Sequence, residues 1–88
     1  MVKRDYTIEN ASGLHARPVS LIVAAASKYS EVTMSLSKKG QAVDLKSILG
    51  VMSLSIGQYD EITIEATGSQ AEEALNSVEK VMVENQLI

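Results

Sequence analysis

The chain has one histidine, His15, in the run Gly13-Leu14-His15-Ala16-Arg17-Pro18. Neutral imidazole is a competent nucleophile near pH 7. An arginine two residues on is suited to clamping phosphoryl oxygens. Pro18 is the chain's only proline. A proline fits the first turn of a helix, where the missing N–H costs nothing and the fixed φ is already helical. The run therefore reads as a turn leading into a helix that starts at or just after His15. Such a start presents unpaired N–H groups and a partial positive charge, which together favour an anion such as phosphate. A histidine that only caps the helix, or only lies on the surface, fits the same spacing.

A second group is Lys46-Ser47-Ile48-Leu49-Gly50-Val51-Met52-Ser53. Ser47 sits where a helix N-cap belongs. A phosphate on it would suit the helix N-terminus and the neighbouring Lys46. A plain capping serine is the alternative. Ile48, Leu49 and Met52 share a short helix and divide between core and an exposed apolar patch for partners. Elsewhere nothing pairs two carboxylates for acid–base work, and no phosphate-binding glycine loop, nucleophile elbow or metal-ligand spacing occurs.

These groups need elements to hold them. Val2 to Glu9 alternates as a half-buried strand, with Val2, Arg4, Tyr6 and Ile8 on one side. Asn10 to Gly13 is a turn. Leu21, Ile22, Ala25, Ala26 and Tyr29 carry a helical period from Ala16 to about Lys28. Glu31 to Ser37 alternates, Lys38-Lys39-Gly40 turns, and Gln41 to Leu45 returns. A short helix spans the Ser47 region, and Ile56 to Asp60 turns. Glu61 to Thr67 alternates until Gly68. Ser69 to Glu72 reads as a capping box that opens a helix to about Glu84 on Ala71, Leu75, Val78 and Met82. Alternation in three strands favours a sheet with one wet face, hence an antiparallel one. The expected fold is α+β, a two-layer open-faced sandwich in the order β-α-β-β-α-β-α, with four antiparallel strands and three helices on one face.

Composition narrows the function. At 88 residues the chain has room for one domain, spanning residues 1–88. With no cysteine there is no thiolate catalysis and no thiolate metal site. Aromatics are 3% of residues, so the core must be aliphatic. The net charge of −3 is uneven: residues 1–59 hold seven basic and four acidic side chains, residues 60–88 one basic and seven acidic. An acidic chain poor in aromatics is a poor nucleic-acid binder. The basic excess of the first two-thirds suits a phosphoryl group or an acidic partner. No apolar run is long enough to span a membrane and no signal-peptide pattern occurs. The reading is a cytoplasmic protein with no direct nucleic-acid contact and no membrane insertion.

The histidine run, with Lys46 to Leu54 about thirty residues on, resembles the HPr family, the histidine-containing phosphocarriers of the phosphoenolpyruvate-dependent sugar phosphotransferase system. The likeness covers essentially the whole chain. It implies that His15 accepts a phosphoryl group on its δ nitrogen from phosphorylated Enzyme I and passes it to sugar-specific Enzyme IIA domains. It implies that Arg17 stabilises that phosphate, and that Ser47 is the regulatory serine used by HPr kinase/phosphorylase and read by the catabolite control protein. It also implies that Ile48, Leu49, Met52 and Ser20 contact partners, that no cofactor is needed, and that the protein is a stoichiometric carrier rather than an enzyme. The stretch Ser30 to Gly40 is a residue longer than in some relatives, which shifts the serine by one. A module signalling only through Ser47, like the histidine-less paralogue Crh, is the alternative. His15 argues against it.

Overall fold

The alternating segments form one sheet. In the computed structural model, which describes residues 1–88, the strands are β1 (Val2–Thr7), β2 (Thr33–Lys38), β3 (Gln41–Asp44) and β4 (Glu61–Thr67). Their order across the sheet is β1-β4-β2-β3 and every neighbouring pair is antiparallel. Register puts like faces together. Tyr6 opposes Ile62 and Arg4 opposes Ile64, while Ile64 and Val43 oppose Leu36 from either side. Apart from Arg4 on the edge strand one face is thereby apolar, and the other carries Lys3, Asp5, Ser35, Ser37, Thr63 and Glu65. On that open face Thr63 Oγ1 donates to Asp5 Oδ1 at 2.6 Å.

The helices α1 (Ala16–Ser27), α2 (Ile48–Met52) and α3 (Ala71–Glu84) cover the apolar face, α1 packing on both α2 and α3. The buried core is aliphatic throughout and includes no polar or charged side chain. Ile8, Ile22, Leu36, Ile62, Ile64, Leu75 and Met82 are among its largest fully buried members. Burial of this apolar surface is what drives the chain together. No helix is long and apolar enough to cross a membrane.

Local chemistry sets the turns. Between β2 and β3, Lys39 (φ 51°) and Gly40 (φ 82°) both take positive φ, as a two-residue hairpin of this twist requires. At the end of α3, Gln86 (φ 58°) lets the Leu87 N–H bond to the Met82 carbonyl and the Gln86 N–H to the Val83 carbonyl. That double closure caps the helix, with buried Leu87 against the core beside Met82. The Glu9 N–H then bonds to the Leu87 carbonyl at 2.7 Å, tying the C-terminal tail to the end of β1.

Several boundaries differ from the sequence reading. The capping box at Ser69 does not form. α3 starts at Ala71, its N-cap is Gln70, and no side chain caps it. Gly68 (φ 136°) already turns the chain back, with the Ala71 N–H bonded to its carbonyl, so the helix starts one residue late for Ser69 to reach it. Glu72 is thus an exposed residue of the first turn. β1 ends at Thr7 and β2 begins at Thr33, so Ile8 and Val32 are core residues contributed by the strand ends' flanking loops. α1 ends at Ser27, which puts Tyr29 past the helix. Leu21 leaves the expected apolar stripe. The buried face of α1 runs through Val19, Ile22, Val23 and Ala26, and Leu21 is exposed.

Candidate functional site

The turn ahead of α1 is fixed by backbone. Gly13 has φ 65°, and a Cβ there would lie 2.5 Å from the Ile56 carbonyl oxygen and 2.7 Å from the Gly57 Cα. Only glycine fits both the conformation and the space. Next to it the Leu14 N–H bonds to the Ile56 carbonyl at 2.9 Å, and the Leu14 side chain is buried. The turn is therefore pinned to the loop before β4, and the next residue, His15, must emerge at the surface.

His15 is the N-cap of α1, with extended backbone (φ −90°, ψ −173°). Its carbonyl accepts the first helical bond, from the Val19 N–H at 3.1 Å. Its imidazole makes no capping hydrogen bond and is exposed. Helix capping is not what the ring does here. Pro18 has no N–H, so the free donors of this helix start are the Ala16 and Arg17 amides. The first turn holds no acidic residue. Arg17 is exposed and joins neither of the two ion pairs, Arg4–Glu79 and Lys38–Asp60. Ser20 lies one turn on, its Oγ donating to the Arg17 carbonyl at 2.8 Å.

His15 and Arg17 line one shallow cleft of about 190 Å³ with Asn10, Pro18, Leu21, Asn85 and Leu87. Two larger hollows, of about 470 and 460 Å³, contain neither His15 nor Arg17 nor Ser47, so size does not mark the site. Asn85 is the C-cap of α3, its Nδ2 bonded to the Val81 carbonyl at 2.8 Å. The cleft therefore lies between the positive end of α1 and the negative end of α3. Sequence reasoning missed Asn10, Leu21, Asn85 and Leu87. The signal for Asn85 and Leu87 is the long-range pairing of the tail with Glu9, which no local pattern carries.

Ser47 is the N-cap of α2, as its sequence position predicts, and its Oγ accepts from the Gly50 N–H at 3.0 Å. Lys46 does not stand ready beside it. Lys46 Nζ donates to the Tyr29 carbonyl at 2.8 Å and also to the Val32 carbonyl, holding the link between α1 and β2. Ile48, Leu49 and Met52 are exposed, Leu49 by 83%, while Val51 on the same helix is buried. With Leu21 they give adjoining helices α1 and α2 an apolar outer surface.

The remaining charged contacts are structural. Tyr6 OH donates to Glu79 Oε1 at 2.7 Å, and Arg4 Nη1 donates to the same oxygen at 3.1 Å, linking β1 to α3. Burial, then the Glu79 hydrogen bond, pushes the Tyr6 phenol up to about 12. The Tyr6 hydrogen bond holds Glu79 below the usual carboxylate range.

The family model for the "PTS HPr component phosphorylation site" matches residues 2–84. The phosphocarrier protein HPr of Mycoplasma pneumoniae (strain ATCC 29342 / M129 / Subtype 1) is 40% identical over 88 residues, the full length of both chains. A solved histidine-containing phosphocarrier protein of Mycoplasma superposes with a TM-score of 0.94 at 36% identity, covering 99% of this chain and 98% of that one. Bacillus subtilis Crh, a swapped dimer, superposes at 0.73 with 33% identity over 100% and 99% of the two chains. An open four-stranded sheet with three helices, and a match running nearly from end to end, have one meaning: the chain belongs to the HPr family, the phosphocarriers of the phosphotransferase system.

Proposed function

We propose that His15 carries the phosphoryl group, taking it from phosphorylated Enzyme I and handing it to Enzyme IIA domains in the cytoplasm. The observation that carries this reading is the exposed, uncapped imidazole at the start of α1, beside an unpaired Arg17. In the transfer, the lone pair of the His15 δ nitrogen forms the N–P bond. The bond from phosphorus to the donor breaks, and its electron pair leaves with the donor. The Ala16 and Arg17 amides and the Arg17 guanidinium face the equatorial oxygens, whose charge a phosphoryl transition state must spread.

A carrier must also let go. Two amides and one exposed arginine are a light grip, and the carbonyl end of α3 across the cleft opposes it. Partner active sites then supply most of the transition-state stabilisation, and the protein acts as a stoichiometric carrier. Ser20, Ile48, Leu49 and Met52, with Leu21, are the surface a partner covers to exclude water around the transfer.

Ser47 is the proposed regulatory site, phosphorylated by HPr kinase/phosphorylase and then read by the catabolite control protein. Its Oγ already meets the N-terminus of α2, so a phosphate keeps that polar environment. Lys46 is occupied elsewhere, so it does not neutralise the phosphate, whose charge is left for a partner to read. Incubation with phosphoenolpyruvate and Enzyme I, followed by 31P NMR, tests the His15 assignment. A phosphohistidine signal on His15 supports it, and phosphate on any other residue refutes it.

A further inference from the structure

Asn10 lines the His15 cleft, and its side chain is only half used. Its Nδ2 donates to the Gly13 carbonyl at 2.7 Å, while the Gly13 N–H bonds back to the Asn10 carbonyl at 3.1 Å. A carbonyl can only accept, so the amide atom facing Gly13 must be the nitrogen, and this identifies the other atom as Oδ1. That Oδ1 is buried and has no donor. Buried acceptors are satisfied in nearly all native proteins, so an orphan one beside a reactive group points to a donor that arrives during function.

We propose that Asn10 is a positioning residue for His15. Its nitrogen holds the turn that presents the histidine, and its oxygen accepts the imidazole N–H on the nitrogen that does not take phosphate. The proposal rests on the reading of His15 as phosphoryl acceptor. Neutral imidazole has one N–H and one lone pair. A fixed acceptor for the ε N–H selects the tautomer whose δ lone pair is free to attack, as an orienting partner does in other histidine sites. When the N–P bond forms and the donor bond breaks, the ring gains positive charge and keeps its ε proton. The N–H to Oδ1 bond therefore strengthens as the reaction proceeds, the condition for speeding it. Of the other lining side chains Arg17 can only donate, and Asn85, with its Nδ2 on the Val81 carbonyl, offers the one other side-chain acceptor.

The test is 15N NMR of the His15 ring in the full chain, unphosphorylated, as wild type, Asn10→Asp and Asn10→Ala. Asn10→Asp places a carboxylate at the acceptor position and should raise the ring pKa by at least ~0.5. Asn10→Ala should shift the tautomer ratio toward the δ N–H form and slow phosphorylation roughly tenfold, the worth of one hydrogen bond. Identical ring titrations and tautomer ratios in all three proteins overturn the proposal. Should the variants fail to fold by circular dichroism, wild type alone decides. A ring N–H protected from solvent exchange supports the contact, and one exchanging as freely as in a histidine peptide refutes it. These spectra need no phosphate, so a protein that takes none on His15 would sink the carrier reading and leave this result standing.

Discussion

Gly13→Ala separates the geometry of the site from its chemistry, because Gly13 touches no reacting atom. Two costs add. At φ 65° an alanine pays the left-handed penalty, ~1–2 kcal/mol. The new Cβ must also push back the Ile56 carbonyl at 2.5 Å and the Gly57 Cα at 2.7 Å. Both are backbone atoms pinned by the Leu14 N–H to Ile56 bond, so relief requires moving the loop, an overpacking cost of ~1–3 kcal/mol. Gly40→Ala is the matched control. It has φ 82° and nothing within 4 Å of its added Cβ, so it pays the first cost alone. Thermal melts by circular dichroism should fall by roughly 8–40 °C for Gly13→Ala and by the smaller roughly 4–16 °C for Gly40→Ala. Phosphorylation by Enzyme I, measured well below both melting points, should slow in Gly13→Ala because the loop that presents His15 has shifted. Gly40→Ala should transfer at the wild-type rate. Equal melting losses, or unimpaired transfer in Gly13→Ala, would refute the claim that this backbone contact sets the histidine.

Arg17→Gly should slow phosphorylation and onward transfer by roughly 10–100-fold, the worth of one charge-assisted hydrogen bond, in stopped kinetics with Enzyme I. Its melting should fall by no more than glycine costs in a helix, at most ~1 kcal/mol, because the guanidinium holds nothing in the folded chain, and unchanged kinetics would remove its role. Ser47→Ala should lose ~1 kcal/mol of cap and roughly 4–8 °C of melting temperature. Ser47→Asp should keep the cap yet be the poorer acceptor at His15, and equal phosphorylation rates for both variants and wild type would reduce Ser47 to a cap. For the Tyr6–Glu79 pair the signs oppose. Glu79 lies below its usual range, so its contribution holds above the unfolded carboxylate pKa and is lost as pH falls through the folded value. Tyr6 is raised from 10.0 to about 12, so its contribution holds below pH 10 and is lost as pH climbs to about 12. Melts of Tyr6→Phe between pH 9 and 12 should decline less than wild type, and parallel curves would contradict the pairing.

What local patterns can carry, the sequence carried. Alternation in Glu61 to Thr67 marks β4 to the residue, because a strand with one wet face writes its period into the chain. Proline in the first turn placed the start of α1, and His15 stands where that placement puts it. The errors arise where tertiary structure outranks local preference. Ser69 and Glu72 have a capping spelling, but Gly68 redirects the backbone and moves the helix start past Ser69. Leu21 fits a helical stripe, but α1 turns its buried face toward Val19 and Val23, leaving Leu21 to the cleft. Lys46 is adjacent to Ser47 in sequence and committed to the Tyr29 and Val32 carbonyls in space. The far wall of the site was the least legible part. Asn85 and Leu87 reach His15 only because the end of α3 closes on Met82 and the tail pairs with Glu9. That closure depends on a positive φ at Gln86, which its residue type does not announce.

His15→Ala tests most directly the proposal that one exposed imidazole carries the phosphoryl group. Wild type and His15→Ala should be incubated with phosphoenolpyruvate and Enzyme I, and the bound phosphate tested for stability in acid and base. One acid-labile, base-stable phosphate is expected per wild-type chain and none on a natively folded His15→Ala protein. Phosphate of the same stability on the alanine variant would contradict it.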